Sequence, residues 1–422
     1  MSRKRKSARG SLERLGRILI GAGLVANEWL LRLCSPDKTL EPSTRWLIRV
    51  FDLLAVITGL ALVLWGRRVA AWVRRARRSA AGSRLAGPVI SLGVTLALLG
   101  AAEAVCGYLN HARAGLTETR TPAEPFVVDD PVLGYALKPN ARVRVVLRRS
   151  GGQVIYDVRY TFDGFGRRVT PAPGPTRRAQ RALLCFGDSL TLGEGVNDDQ
   201  TLPAALARAL PGTAVYNYGV KGYGPHQVLA KLEEGGLRQQ TGVRRAALIY
   251  TFIDDHVSRA IGAMIPYAGW AANAPYYALE GDRLVRRGSF KTGRGWPNAA
   301  YELFGRSQVL KCFRVDLPPV TTDRHLRLVC RMLEAARDRF AEQMQSDGFY
   351  VVCYPGATLA RRLVPMLRAR GISVVDYADW RGWDEAKYRI PYDGHPTPEA
   401  YRVIAARLVQ DLGLAAGPAA RR

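Results

Sequence analysis

From residue 181 onward the chain alternates short apolar runs, rich in Val, Ile, Leu and Tyr, with longer amphipathic stretches. The pattern predicts strand 181–186, helix 201–210, strand 213–218, helix 225–237, strand 245–253, helix 322–346, strand 348–354, helix 358–370, strand 372–377 and a final helix 400–414. Strands separated by helices cannot close as hairpins, and right-handed crossovers gather them into one parallel sheet with helices on both faces. The expected fold is an α/β three-layer sandwich.

The first of these strands, Leu183-Leu184-Cys185-Phe186, stops abruptly at Gly187-Asp188-Ser189-Leu190. Ser189 therefore sits at the C-terminal edge of the sheet, where such folds expose their reactive groups. A serine hydroxyl needs a base and an orienting acid to act as a nucleophile. The histidines are His111, His226, His256, His325 and His395, and only His395 lies in a turn, Pro391 to Glu399, directly before a helical run. Asp393 stands two residues before it and can hold the Nδ1 proton, leaving Nε2 for the serine.

In these residues the chain resembles the SGNH, or GDSL-type, hydrolase family. Gly187-Asp188-Ser189-Leu190 matches the nucleophile block, Gly222 matches the oxyanion glycine by its distance from Asn217, and Asp393-Gly394-His395 matches the acid and base, although many members space them Asp-x-x-His. The match covers roughly residues 180 to 414, and the fold it implies is SGNH/flavodoxin-like.

The third block departs from the family. It usually reads Gly-x-Asn-Asp, whereas this chain has Phe252-Ile253-Asp254-Asp255-His256, with Asp254 at the asparagine position. An amide donates a hydrogen bond to an oxyanion, while an ionised aspartate accepts only and repels it. Three arrangements restore the hole: a protonated Asp254, a donor supplied by His256, or the backbone amides of Ser189 and Gly222 alone. The sequence leaves these open. Three adjacent residues cannot converge from one strand end, so a metal site at Asp254, Asp255 and His256 is not expected.

The chain carries a net charge of +26 with a pI near 10.3. Residues 1–120 hold 20 Lys and Arg against 7 Asp and Glu, beside long apolar runs, so the charge follows membrane topology and no nucleic-acid motif accompanies it. Three apolar segments occur, about 17–34, 46–66 and 87–109; Glu28, Arg17 and Arg32 make the first marginal. Keeping both the basic N-terminus and the Arg67–Arg84 linker in the cytoplasm favours three spans over two, with the soluble part exported.

The expected organisation is a membrane anchor at 1–110, a connector and small β-module at 111–178 with a hairpin from runs 141–147 and 154–161, and a hydrolase-like domain at 179–415. Pro171 to Arg178 reads as a linker. An aromatic stretch, 264–310, interrupts the alternation as an insert or lid whose rings either pack its own core or meet substrate. Of the six cysteines, Cys185 and Cys353 fall in predicted strands, and Cys312 and Cys330 are candidates for a disulfide in an exported domain.

The resemblance implies a serine hydrolase, and the apolar segments a membrane anchor for it; the expected reaction is cleavage of carboxylic esters of an envelope glycan, lipid or small acyl compound. Ser189, Asp393 and His395 would be catalytic, Ser189 and Gly222 would form the oxyanion hole with Asp254 at its third position, and no metal or organic cofactor is needed. Delivery of the acyl group to an envelope polymer (O-acyltransferase), or non-catalytic binding by the same fold, are the alternatives. The partners expected are the acyl ester and the bilayer, with no nucleic acid and no indication of oligomeric state.

Overall fold

The computed structural model describes residues 86–113, 115–171 and 179–414, with a few isolated positions before residue 64. The first two apolar segments, the basic linker and residues 172–178 lie outside the described residues, apart from those isolated positions.

Two compact units divide the chain. The smaller contains helix α1 (Ala86–Arg113) as far as Asn110, together with Gln308–Arg314. The third apolar segment lies within α1, where the Glu103 carboxylate accepts the Gln308 N–H at 2.6 Å and the Asn110 amide donates to the Gln308 carbonyl at 3.0 Å. Glu103 thus spends its charge on a backbone donor. Among the described residues no helix is long and apolar enough to cross a membrane.

The larger unit spans His111–Ser307 and Val315–Arg422. Its N-terminal part is β-rich: β1 (Leu116–Thr121), β2 (Val127–Asp130), β3 (Gly134–Leu137), β4 (Arg142–Arg149) and β5 (Val154–Thr161). β4 and β5 are the hairpin expected around Ser150-Gly151-Gly152, and β1 joins them as a third antiparallel strand. β2 and β3 form a separate hairpin.

Next come β6 (Arg181–Gly187), α2 (Ser189–Leu192), α3 (Leu202–Ala209), β7 (Thr213–Gly219), α4 (Pro225–Glu234), β8 (Arg245–Phe252) and α5 (Asp255–Ala260). After the insert, with its hairpin β9 (Pro275–Glu280) and β10 (Arg283–Ser289), follow α6 (Asp323–Gln343), β11 (Gln345–Cys353), α7 (Ala360–Arg368), β12 (Ser373–Asp376) and α8 (Pro398–Asp411). The five strands β12-β11-β8-β6-β7 form one sheet in that order, all parallel. Chain order reverses between β6 and β8, and the crevice beyond their carboxyl ends is where an open α/β sheet accepts ligands.

Strand alternation divides the core. Ala182, Leu184 and Phe186 of β6 face a cluster built with α4, α6 and α7, while Leu183 and Cys185 face one built with α3 and α8. The second cluster also includes Val143, Val145, Leu147, Tyr156, Val158 and Tyr160 from β4 and β5. The β-rich part expected at 111–178 therefore has no core of its own; it closes one face of the sandwich.

Arg168 fastens this part to the turn that follows β6 and α2. Its side chain is fully buried, lies 4.2 Å over the Tyr160 ring, and donates to the carbonyls of Leu192, Gly193 and Val196 at 2.8, 2.5 and 2.6 Å. Those include carbonyls left without intrahelical partners where α2 ends. Asp198 balances the charge at 2.9 Å.

The insert contains a π-helical turn, Tyr267–Ala271, and a small cluster of Tyr267, Ala271, Ala274 and Phe290 backed by Tyr276 and Tyr301. Four of its eight aromatic residues thus pack in the insert's own cluster, Tyr277 joins the core of the sandwich, and Trp270, Trp296 and Phe304 are exposed. Cys330 is a free, fully buried thiol, so the disulfide with Cys312 does not form; helix α6 holds Cys330 inside the core.

Candidate active site

Asp188 caps α2 by accepting the Leu190 N–H at 3.0 Å. Ser189 is the first residue of that helix, and the unshared amides of a helical first turn point toward its N-terminal end. Gly187 cannot be replaced without disturbance, since a Cβ there would lie 2.2 Å from Thr191 Oγ1.

His395 approaches from the loop between β12 and α8. Its Nε2 lies 2.9 Å from Ser189 Oγ, and its Nδ1 lies 2.7 Å from Asp393 Oδ2. The Asp-Gly-His spacing works because the turn is sharp: Tyr392 and Gly394 have φ of 65° and 87°, and the amides of Asp393 and Gly394 both donate to the Ile390 carbonyl. This turn brings the Asp393 carboxylate back onto the ring of His395 two residues later, within hydrogen-bond distance of its Nδ1.

Glu194 is a member of the site that pattern reading missed. Its side chain is almost buried, with Oε1 2.5 Å from Lys221 Nζ and Oε2 3.4 Å from His395 Nε2. Burial depresses the His395 imidazolium, but the Asp393 hydrogen bond and the charges of Glu194, Asp393 and Asp188 outweigh it and raise its pKa above the ordinary value.

Behind the serine lies a second polar group. Asp188 is fully buried; its Oδ2 accepts from Arg259 at 2.7 Å and lies 3.3 Å from His256 Nε2. Burial alone would raise its carboxyl, yet His256 and Arg259 together hold it well below the usual carboxylate range. His256 Nδ1 meets Tyr250 Oη at 2.7 Å, and burial lowers the imidazole's pKa. The sequence offers His256 as one oxyanion donor; in the structure its ring meets Asp188 and Tyr250 instead.

Gly222 is on the loop after β7 with φ +79°. A Cβ there would lie 2.7 Å from both Trp270 Nε1 and Tyr135 Oη, so the positive φ and the close approach both require glycine. Ser189, Gly222, Asp393 and His395 line one cleft of about 780 Å³, together with Tyr135, Glu194, Lys221, Ile253, Asp255, Arg259, Trp270 and Asn273.

Asp254 is not in that cleft, which corrects the assignment of an oxyanion position to it. Its carboxylate accepts the N–H and Oγ1–H of Thr358 at 2.9 and 2.6 Å and the Leu359 N–H at 2.9 Å. It ties the end of β8 to the turn that opens α7. His256 is turned inward. Of the side chains open to the sequence as oxyanion donors, neither Asp254 nor His256 lines the cleft. Among the described residues no group of three or more His, Cys, Asp or Glu side chains is disposed to hold a metal ion.

Ser189, His395 and Asp393 thus form one hydrogen-bonded chain at the switch point of a parallel sheet, a geometry chemically able to form and resolve an acyl-serine. No protein-family model matches the chain, and no curated protein matches it. Among solved structures it is similar to a member of the lipolytic G-D-S-L family from Veillonella parvula DSM 2008, at 15% identity and TM-score 0.30 over 55% of this chain and 97% of that one. It is also similar to an acetyl xylan esterase from the rumen bacterium Butyrivibrio proteoclasticus, at 11% identity and TM-score 0.33 over 66% of this chain and 73% of that one.

Proposed function

We propose that the protein is a serine esterase of the SGNH type, anchored in a membrane with its catalytic domain on the extracytoplasmic side. The observation that carries the chemistry is the chain Ser189 Oγ to His395 Nε2 at 2.9 Å and His395 Nδ1 to Asp393 at 2.7 Å. Ser189 attacks the acyl carbon of a carboxylic ester while His395 takes its proton, and Asp393 stabilises the imidazolium. The oxyanion forms against the amides of Ser189 and Gly222. The imidazolium returns its proton to the leaving alkoxide, and water, deprotonated by His395, then releases the acid. An ester of an envelope glycan, a lipid or a small acyl compound is the substrate class.

The anchor is supported by the basic segments that flank the apolar runs of the sequence. A reporter fused after residue 120 and active only in the cytoplasm overturns this orientation.

A fluorophosphonate probe tests the catalytic part. It labels the full chain, and Ser189→Ala removes both the label and turnover of a short-chain p-nitrophenyl ester while the thermal midpoint stays unchanged. A Ser189→Ala protein that still turns over ester defeats the assignment.

A further inference from the structure

We infer that Trp270 is the third oxyanion donor, an indole N–H carried into the site by the insert in place of the side-chain amide missing at the end of β8. The inference rests on the esterase reading and adds a catalytic residue to it.

The end of β8 offers the cleft no neutral donor. Ile253 and Asp255 are the residues it presents there; the first is apolar, and the second is an acceptor facing Arg259 at 3.4 Å. Asp254 is spent on Thr358 and Leu359, and His256 on Tyr250 and Asp188. Two backbone amides, of Ser189 and Gly222, then face a charge that is commonly met by three donors.

Beside Gly222 stand two polar atoms, Trp270 Nε1 and Tyr135 Oη, each 2.7 Å from where a Cβ would sit. The tyrosine proton is committed to the Lys221 carbonyl at 2.7 Å. The indole N–H has no acceptor among the described residues, and Trp270 lines the cleft with Ser189 and His395. An indole nitrogen donates only and carries no charge at any working pH, which suits an oxyanion.

The insert is built to hold it there. Tyr267 and Ala271, on either side of Trp270 in the π-helical turn, are buried in the insert's own cluster. Trp270 itself remains 46% exposed, so it belongs to the cleft wall and not to that core. Isolated π turns of this kind are frequent where a side chain is re-aimed at a site.

Trp270→Phe keeps the ring and removes the N–H. In the full chain, kcat for a soluble p-nitrophenyl ester should fall by about 10² with KM little changed, the usual cost of one oxyanion donor. Affinity for an aryl trifluoromethyl ketone, which forms a charged tetrahedral adduct on serine, should fall in parallel. Trp270→His, which restores a ring N–H, should recover part of kcat. If the wild type hydrolyses the ester and Trp270→Phe stays within twofold of it, or if only KM rises as for a stacking wall, the donor role is overturned and the esterase reading stands. If a folded wild type neither hydrolyses the ester nor binds the ketone, the esterase reading fails and the inference with it.

Discussion

Glu194 Oε2 lies 3.4 Å from His395 Nε2, the same nitrogen that meets Ser189 Oγ at 2.9 Å. The carboxylate favours the imidazolium, and it contributes to a His395 pKa raised above the ordinary value. A base must be neutral to take the serine proton, so activity is lost as pH falls through that raised pKa. Glu194→Gln removes one stabilising charge and lowers the pKa, so the acid limb of kcat/KM should move to lower pH. The plateau should also drop, because the imidazolium formed in the transition state loses the same support. Rates across pH 5 to 9 check both effects; an unmoved acid limb sinks the role given to Glu194.

The parallel sheet was legible because its inner strands are buried on both faces and the first ends in a turn signal at Gly187-Asp188. Ser189, His395 and Asp393 were legible for a related reason, since a strand-end serine and a histidine in a helix-entry turn are local patterns. Glu194, Lys221, Arg168 and Arg259 were not. Each works through a partner far along the chain, such as Arg259 on Asp188 or Arg168 on the carbonyls after Ser189. Asp254 misled because strand register, not motif position, decides which side chain faces the cleft, and it delivered Ile253 and Asp255 instead.

Gly222→Ala tests the oxyanion loop. A Cβ would enter within 2.7 Å of Trp270 Nε1 and Tyr135 Oη, at a φ of +79° that alanine tolerates poorly. The loop must shift, withdrawing its amide from the site. We expect kcat to fall by about 10² to 10³ and stability by about 1–3 kcal/mol. Ester turnover and thermal melting measure the two separately; a kcat within threefold of wild type shows that this amide is not in the hole.

Asp254→Asn distinguishes the family's third position from the place this residue takes here. Were Asp254 an oxyanion residue, the amide would raise kcat. In the structure it accepts three hydrogen bonds from Thr358 and Leu359. The asparagine should therefore leave kcat within about twofold while lowering stability by about 1 kcal/mol through loss of charge-assisted bonds. A clear gain in kcat at unchanged melting temperature contradicts the placement.

Arg259→Met exposes the balance behind the nucleophile. In the wild type the depressed Asp188 carboxyl contributes stability that is present above its unfolded pKa and is lost only as pH falls through the lower folded value. Removing the guanidinium leaves a fully buried carboxylate facing His256, whose own burial disfavours a compensating charge. At pH 7.5 the variant should lose about 3–5 kcal/mol, the cost of breaking a buried pair on one side. Without Arg259 the buried Asp188–His256 pair is short of one positive charge, so the variant takes up a proton on folding and its deficit shrinks as pH falls toward 5. Thermal midpoints of both proteins at the two pH values decide it: a deficit that is constant, or that widens in acid, shows that Arg259 does not hold the Asp188 charge.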